Sequence, residues 1–150
     1  MRLSVIGCGY LGAVHAASMA ALGHDVVGID VDEAKIASLR AGRAPFFEPG
    51  LSTILESGLE SGRLAFSTDM ADAADADVHF VAVGTPQRTG AYAADLSYVD
   101  AAVDALVPIL RPGMLVVGKA TVPIGTAAGL SERILPPGAE VGWDPGALRE

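Results

Sequence analysis

The sequence has 150 residues, a hydrophobic share of 51%, a charged share of 19% and a formal net charge of −8. One domain core can be buried by a chain of this length, and the hydrophobicity excludes an intrinsically disordered tail. The negative charge offers no basic face to nucleic acid or to an anionic membrane, and a single cysteine excludes both a disulfide framework and a thiolate metal site.

Short apolar runs alternate with helical stretches along the chain, which is typical of consecutive β-α-β units. The predicted strands are residues 2–6, 25–29, 64–66, 77–83, 114–118 and 140–143. The predicted helices are residues 11–22, 32–41, 51–59, 70–76 (one or two turns), 97–110 and 125–135. The pattern predicts a doubly wound α/β fold with a mainly parallel sheet and helices on both faces.

Residues 3–23 contain no Asp, Glu, Lys or Arg, so a signal peptide or a membrane span is an alternative to a strand and a helix. Four glycines interrupt the stretch, and a strand–turn–helix unit uses each of them. We therefore favour strand–turn–helix, with Leu11, Val14, Ser18 and Leu22 along one stripe of the helix.

Residues 7–12 form the pattern G-x-G-x-x-G between the first strand and the first helix. In that context Gly7 permits a tight turn, Gly9 lets the backbone approach a pyrophosphate, and Gly12 lets the helix pack closely on the strand. Free N–H groups at the helix start would face the phosphates. The pattern predicts a Rossmann-type dinucleotide site; the alternative is a glycine-rich turn without a ligand.

Asp30 ends the second predicted strand, eighteen residues after Gly12. A carboxylate there can accept hydrogen bonds from an adenosine ribose and repels a 2′-phosphate, so we expect NAD rather than NADP. The alternative is that Asp30 only caps the next helix together with Asp32 and Glu33; we assign capping to Asp32 and ribose binding to Asp30.

Other reactive side chains are interpreted as structural. A thiol at a helix N-terminus can be activated, but Cys8 occupies a variable position of the glycine turn beneath the expected pyrophosphate, and we assign it no chemistry. The histidines lack ligand spacing, the acidic cluster after the third strand fits a solvated face, and we expect no metal site. These residues are His15, His24, His79, Asp69, Asp72, Asp75 and Asp77.

Seven segments together resemble the UDP-glucose dehydrogenase family, in order and along the whole chain. They are residues 7–12, 28–32 with Lys35, 47–51 (F-E-P-G-L), 82–87 (A-V-G-T-P-Q), 94–99 (A-D-L-S-Y-V), 119–123 (K-A-T-V-P) and 143–150 (W-D-P-G-A-L-R-E). The resemblance implies oxidation of the C6 alcohol of a UDP-sugar to a carboxylate, in two hydride transfers to two NAD⁺.

The resemblance also implies site residues. Thr121 and Glu150 would be catalytic, orienting water near the reacting carbon, and residues 146–150 would form one wall of the sugar site. The implied cofactor-binding residues are Gly7, Gly9, Tyr10, Leu11, Gly12, Asp30, Lys35, Gly84, Thr85, Thr121 and Glu150, and the implied substrate-binding residues are Leu148, Arg149 and Glu150.

Three positions depart from the family pattern: Ala120 replaces a serine, Gly146 a glutamate used in acid–base chemistry, and Ala147 a phenylalanine. In the family a later half supplies a cysteine nucleophile, a lysine, a dimer-forming helix and most of the UDP pocket. We therefore expect residues 1–150 to be an NAD-binding domain that does not turn over alone, from a cytoplasmic parent that is a homodimer or higher.

Two alternatives remain open. Gly146 and the absent nucleophile favour a free-standing NAD-binding or regulatory module, whereas the presence of Thr121, Arg149 and Glu150 favours an enzyme, because a bare cofactor binder needs none of them. Within the enzymes, GDP-mannose and UDP-N-acetylmannosamine dehydrogenases are alternatives, because the missing half selects most of the sugar.

Overall fold

The fold is built on one six-stranded parallel sheet. The computed structural model describes residues 1–90, 93–123, 125–134 and 138–143. The strands are β1 (Arg2–Ile6), β2 (Asp25–Ile29), β3 (Leu64–Ser67), β4 (Val78–Val81), β5 (Leu115–Gly118) and β6 (Glu140–Trp143). Their order is β3-β2-β1-β4-β5-β6, so β2 and β3 extend the sheet on one side of β1, and β4, β5 and β6 extend it on the other. Ligands of open α/β sheets bind at such a switch point, which here lies between β1 and β4.

Helices connect the strands on both faces of the sheet. They are α1 (Tyr10–Ala21), α2 (Glu33–Arg40), α3 (Leu51–Glu60), α4 (Ser97–Leu106) and α5 (Thr126–Ile134), with 3₁₀ turns at Met70–Ala73 and Val107–Ile109. One core joins α1, α2 and α3 to one face, and a second core joins α4 and α5 to the other. The predicted doubly wound architecture is confirmed.

The packing of α1 corrects the predicted stripe. Leu11 and Leu22 are 45% and 72% exposed, and the buried face consists of small residues: Gly12, Ala13, Ala16, Ala17 and Ala20. Small side chains let the helix axis lie close to the sheet, so Leu11 and Leu22 lie toward solvent, whereas Val14 of the predicted stripe is partly buried against the core. The sequence interpretation was wrong here because it followed residue size and hydrophobicity rather than the closeness of the contact.

Three elements are shorter than predicted by at least three residues. Helix α4 ends at Leu106 and continues as a 3₁₀ turn, since Pro108 has no N–H to extend an α-helix. The helical turn after β3 ends at Ala73, and β4 covers only Val78–Val81. None of the helices in the described ranges is long and apolar enough to cross a membrane.

Candidate functional site: a dinucleotide pocket

The glycine turn, residues 7–12, has the geometry that its three glycines predict. Gly7 has a φ of +94°, and its N–H donates to the Ile29 carbonyl at 2.8 Å. A Cβ on Gly12 would lie 1.8 Å from the Gly7 carbonyl oxygen, whereas a Cβ on Gly9 would meet nothing within 4 Å. Gly7 and Gly12 therefore have structural reasons to be glycine, and Gly9 borders open space.

Asp30 lies directly after β2 and ties that strand to the glycine turn. Its Oδ2 accepts the Cys8 N–H at 2.8 Å and the Lys35 ammonium at 2.9 Å. Its Oδ1 accepts the Asp32 N–H at 3.0 Å. Only 9% of the Asp30 side chain is exposed, so this carboxylate is the best enclosed acidic group beside the turn.

Burial alone would raise the pKa of Asp30. The hydrogen bonds from the Asp32 N–H, Lys35 and the Cys8 N–H, with the Lys35 charge, outweigh burial and hold the pKa of this carboxyl below its usual value. Asp30 is therefore ionised at neutral pH. Asp32 also caps α2, because its Oδ1 accepts the Lys35 N–H at 3.0 Å, as the sequence predicts.

A pocket of about 330 Å³ opens beside the glycine turn at the switch point between β1 and β4. It brings together five of the predicted cofactor residues: Gly7, Gly9, Asp30, Lys35 and Gly84. The pocket surface is mainly apolar, with its charged groups near Asp30. The pocket therefore combines a polar part beside Asp30 with a larger apolar part, as a nucleoside phosphate requires.

Part of the pocket lining was missed in the sequence. Helix α4 contributes Tyr98, Ala101, Ala102 and Ala105 to this lining. Met70 and Val83, which follow β3 and β4, contribute the other side chains. The spacing of these alanines places them on one helical face, and their size leaves room for a flat ring. The alanine pattern was the available signal, but helix packing explained it equally well.

Two predicted residues, Thr85 and Thr121, lie in a second group with Ala120 and Trp143, which we call the threonine junction. The Thr85 hydroxyl donates to the Thr121 carbonyl at 2.8 Å, and the Trp143 indole N–H donates to the Ala120 carbonyl at 3.2 Å. Two consecutive carbonyls are thus held from two sides, just beyond β5. The junction does not line the pocket.

Tyr10 and Leu11 were predicted at the cofactor but do not line the pocket. The Tyr10 hydroxyl donates to Glu48, which raises the pKa of Tyr10, and the Tyr10 ring lies 4.8 Å from that of Phe46. This contact connects the start of α1 to the loop before α3. A role for either residue in NAD binding stays a prediction.

Cys8 is fully buried in the glycine turn. Its Sγ lies 3.6 Å from the Ile29 carbonyl oxygen. Burial and the negative charge of Asp30 raise the pKa of the Cys8 thiol to about 12, against a smaller lowering effect of Lys35. A protonated, enclosed thiol is a poor nucleophile, in agreement with the interpretation that Cys8 carries no chemistry.

His79 and His15 have separate structural contacts. His79 is buried on β4, where Nδ1 lies 2.7 Å from the Ser4 hydroxyl and Nε2 lies 3.4 Å from the Met114 sulfur. The His15 ring packs edge-on against Phe80. Within the part of the chain that the structure describes, no three His, Cys, Asp or Glu side chains are grouped as a metal ion would need.

A larger groove of about 570 Å³ lies over β2 and β3 and contains none of the predicted site residues. Its charges already pair with each other: Arg63 lies 3.3 Å from Asp25, and Arg2 lies 3.7 Å from Asp75. It is also more open than the pocket at the glycine turn. We therefore place the candidate site at the smaller pocket.

The remaining predicted residues lie outside the described ranges. They are the substrate-binding Leu148 and Arg149, the catalytic Glu150, and the two departures from the family pattern, Gly146 and Ala147.

This chain is similar to known proteins over most of its length. Residues 1–143 match the model of the UDP-glucose/GDP-mannose dehydrogenase family, NAD binding domain. A UDP-glucose 6-dehydrogenase of Rhizobium meliloti is 49% identical over 127 residues, which cover 84% of this chain and 29% of that protein.

Solved structures of dehydrogenases are also similar to this chain. A UDP-glucose dehydrogenase from Pyrobaculum islandicum has a TM-score of 0.88 and 44% identity, covering 99% of this chain and 36% of that one. A UDP-D-ManNAc dehydrogenase from Pyrococcus horikoshii has a TM-score of 0.89 and 29% identity, covering 99% and 37%. The chain thus spans about a third of the length of these relatives.

Proposed function

This chain belongs to the UDP-glucose/GDP-mannose dehydrogenase family as its NAD-binding domain, and we propose that it serves an enzyme that oxidises UDP-glucose to UDP-glucuronate. One observation carries the coenzyme site: the partly buried, ionised Asp30 lies in the same pocket as the Gly7 and Gly9 backbone. In this proposal the pyrophosphate lies over Gly9, and the adenosine ribose donates to Asp30 beside Lys35.

The adenine ring fits the apolar part of the pocket, against the small side chains of α4. Gly84, three residues beyond the carboxyl end of β4, then borders the path toward the nicotinamide. Bound NAD⁺ supplies the hydride acceptor. The residues of this chain bind and orient: the glycine turn faces the phosphates, and Asp30 selects a ribose without a 2′-phosphate.

UDP-glucose is the proposed substrate because the 49% and 44% identical relatives are UDP-glucose dehydrogenases. Oxidation of an alcohol to a carboxylate removes two hydrides and takes its second oxygen from water. We propose that Thr121 and Glu150 orient this water and that Leu148 and Arg149 border the sugar. The threonine junction supports the first role, because it holds the Thr121 backbone in place.

The proposal extends to the protein as a whole. We propose that residues 1–150 form the coenzyme domain of a longer cytoplasmic polypeptide, that further residues complete the UDP-sugar site, and that the enzyme is a homodimer or larger. GDP-mannose and UDP-N-acetylmannosamine are the alternative substrates, favoured by the family's own range and by the fold match to a UDP-D-ManNAc dehydrogenase.

Two measurements test the proposal. A fluorescence titration of this chain should show NADH binding more tightly than NADPH; equal or tighter NADPH binding contradicts the role of Asp30. In the full-length protein, UDP-glucose with NAD⁺ should form about two NADH per sugar, and GDP-mannose and UDP-N-acetylmannosamine should react more slowly. Faster reaction of either alternative sugar reassigns the substrate and leaves the coenzyme site intact.

A further inference from the structure

The side chain of Trp143 crosses one strand and contacts the segment that follows β5. Trp143 is the last residue of β6 and pairs with Gly118, the last residue of β5. A Cβ on Gly118 would lie 2.1 Å from the Trp143 ring, so the ring can lie over β5 only because Gly118 has no side chain. From there the indole N–H donates to the Ala120 carbonyl at 3.2 Å, in a partly buried hydrogen bond.

The two hydrogen bonds of the threonine junction hold both peptide planes that flank Thr121. Trp143 holds the Ala120 carbonyl, which belongs to the plane before Thr121. Thr85 holds the Thr121 carbonyl at 2.8 Å, which belongs to the plane after it. Each peptide unit is rigid, so the backbone of one residue has only two soft dihedral angles. The two hydrogen bonds therefore restrain φ and ψ of Thr121 and, with them, the direction of its Cα–Cβ bond.

We propose, resting on the function proposed above, that Trp143 is a positioning residue that acts on Thr121 through the Ala120 carbonyl. Thr121 is the residue to which we assign orientation of the attacking water, and such orientation needs a side chain that already points the right way. Without the indole N–H, Thr85 holds only one of the two planes, and rotation about the N–Cα bond of Thr121 becomes easier. Trp143 itself needs no contact with sugar or coenzyme.

The sharpest test removes the N–H and keeps the ring. In β-(3-benzothienyl)alanine a sulfur atom replaces the indole N–H, and the side chain keeps nearly the same shape. With this residue in place of Trp143, the full-length protein should oxidise UDP-glucose with a kcat about three- to tenfold lower, the worth of one hydrogen bond. The KM values for UDP-glucose and NAD⁺ should stay within about twofold, because orientation and not binding is impaired.

Val141→Ala is the matched control for packing. Val141 also lies on β6 and packs against the same core as Trp143, but a valine side chain cannot form a hydrogen bond. Val141→Ala should lower the Tm and leave kcat within about twofold, because it removes no interaction specific to the transition state. Trp143→Phe loses the N–H and part of the ring, so it should combine a lower Tm with a lower kcat. It also replaces the benzothienyl variant if that variant does not fold.

A native kcat in the benzothienyl variant overturns the proposal. An equal loss of kcat in Val141→Ala, or a rise in KM without a fall in kcat, overturns it as well, because either result assigns Trp143 to packing or to binding.

A second measurement needs no activity. Ala120-Thr121 is the single Ala-Thr pair in the sequence, so labelling alanine carbonyls with ¹³C and threonine nitrogens with ¹⁵N gives one NMR cross-peak for this peptide unit. In the 150-residue chain the benzothienyl replacement should shift this cross-peak more than Val141→Ala does, and equal shifts overturn the proposal. If the full-length protein oxidises no nucleotide sugar, the proposed function fails, and the cross-peak still decides whether Trp143 holds the Thr121 backbone.

Discussion

The glycine turn and the threonine junction both lie at the carboxyl edge of the sheet but are built differently. In the glycine turn, backbone meets backbone: the Gly12 position faces the Gly7 carbonyl, and the Gly7 position faces the Val83 backbone. In the threonine junction, side chains hold backbone: Thr85 and Trp143 donate to two consecutive carbonyls. We infer that the turn is rigid and the junction adjustable.

Gly12 and Gly118 show the same contrast, because an added Cβ would overlap a neighbouring group at both positions. A Cβ on Gly12 would meet a carbonyl oxygen, which cannot move without breaking the turn, whereas a Cβ on Gly118 would lie 2.1 Å from the Trp143 ring. A ring at the end of a side chain can rotate. A preformed phosphate site benefits from the first arrangement, and a region that adjusts to a substrate benefits from the second.

The largest expected effect is in the glycine turn. Gly12→Ala should lower the free energy of unfolding by about 3 kcal/mol or more, because the added methyl group overlaps backbone. Gly9→Ala is the matched control: it should change stability by less than about 0.5 kcal/mol yet weaken NADH binding at least about tenfold. Urea unfolding and NADH titration measure the two effects. A Gly12→Ala variant of native stability contradicts the rigid turn.

Gly118→Ala probes the junction and should have a smaller effect, about 1–2 kcal/mol, because the Trp143 ring can turn aside. Trp143 is the only tryptophan in the sequence, so its fluorescence spectrum reports this movement directly. Gly142→Ala is the control on β6, where a Cβ meets nothing within 4 Å. An unchanged spectrum, or a loss as large as that of Gly12→Ala, contradicts an adjustable junction.

Protonation of the buried His79 tests how far the stability of β4 depends on pH. The chain after β4 leads to Val83, which contacts the glycine turn, and to Thr85 of the threonine junction. Burial, with the charge of Arg111, lowers the pKa of His79 from 6.5 to about 4, against the opposing effect of Asp77. Because the folded pKa lies below the unfolded one, the stabilising contribution is complete above pH 6.5 and is lost as the pH falls toward 4.

Between pH 7.5 and pH 5 this loss should be about 2 kcal/mol of unfolding free energy. His79→Gln should be less stable at pH 7.5, because a buried hydrogen bond to Ser4 is altered, and should lose less stability at pH 5. Urea unfolding at both pH values measures the difference. An identical pH dependence in the two proteins shows that another group titrates.

The smallest effect is expected at Cys8. Cys8→Ala keeps the backbone N–H that Asp30 accepts and removes only a protonated, buried thiol. NADH affinity should stay within about threefold of native, since no charged contact is lost. The native thiol should react with a thiol reagent only on unfolding. Rapid modification of the folded protein contradicts the enclosed turn.

Local patterns predicted most of the fold and the backbone geometry of the glycine turn. β1, β2 and β6 have the predicted bounds, and the reasons for Gly7, Gly12 and Asp32 follow from backbone geometry over a few residues. The face of α1 was wrong, because a close helix–sheet contact selects alanine where hydrophobicity alone favours leucine. The wall from α4 was missed for a related reason, since small residues signal space rather than chemistry.

By itself the sequence determined the order of strands and helices, the glycine turn and the acid that follows β2. These depend on contacts that are short in sequence or on backbone conformations that only certain residues adopt. Tertiary structure alone decided that Asp30 accepts the Cys8 N–H from twenty-two residues away, that Cys8 is fully buried, and that Thr85 holds a carbonyl thirty-six residues away. Such contacts join segments that follow different strands of the sheet, and no local pattern specifies them.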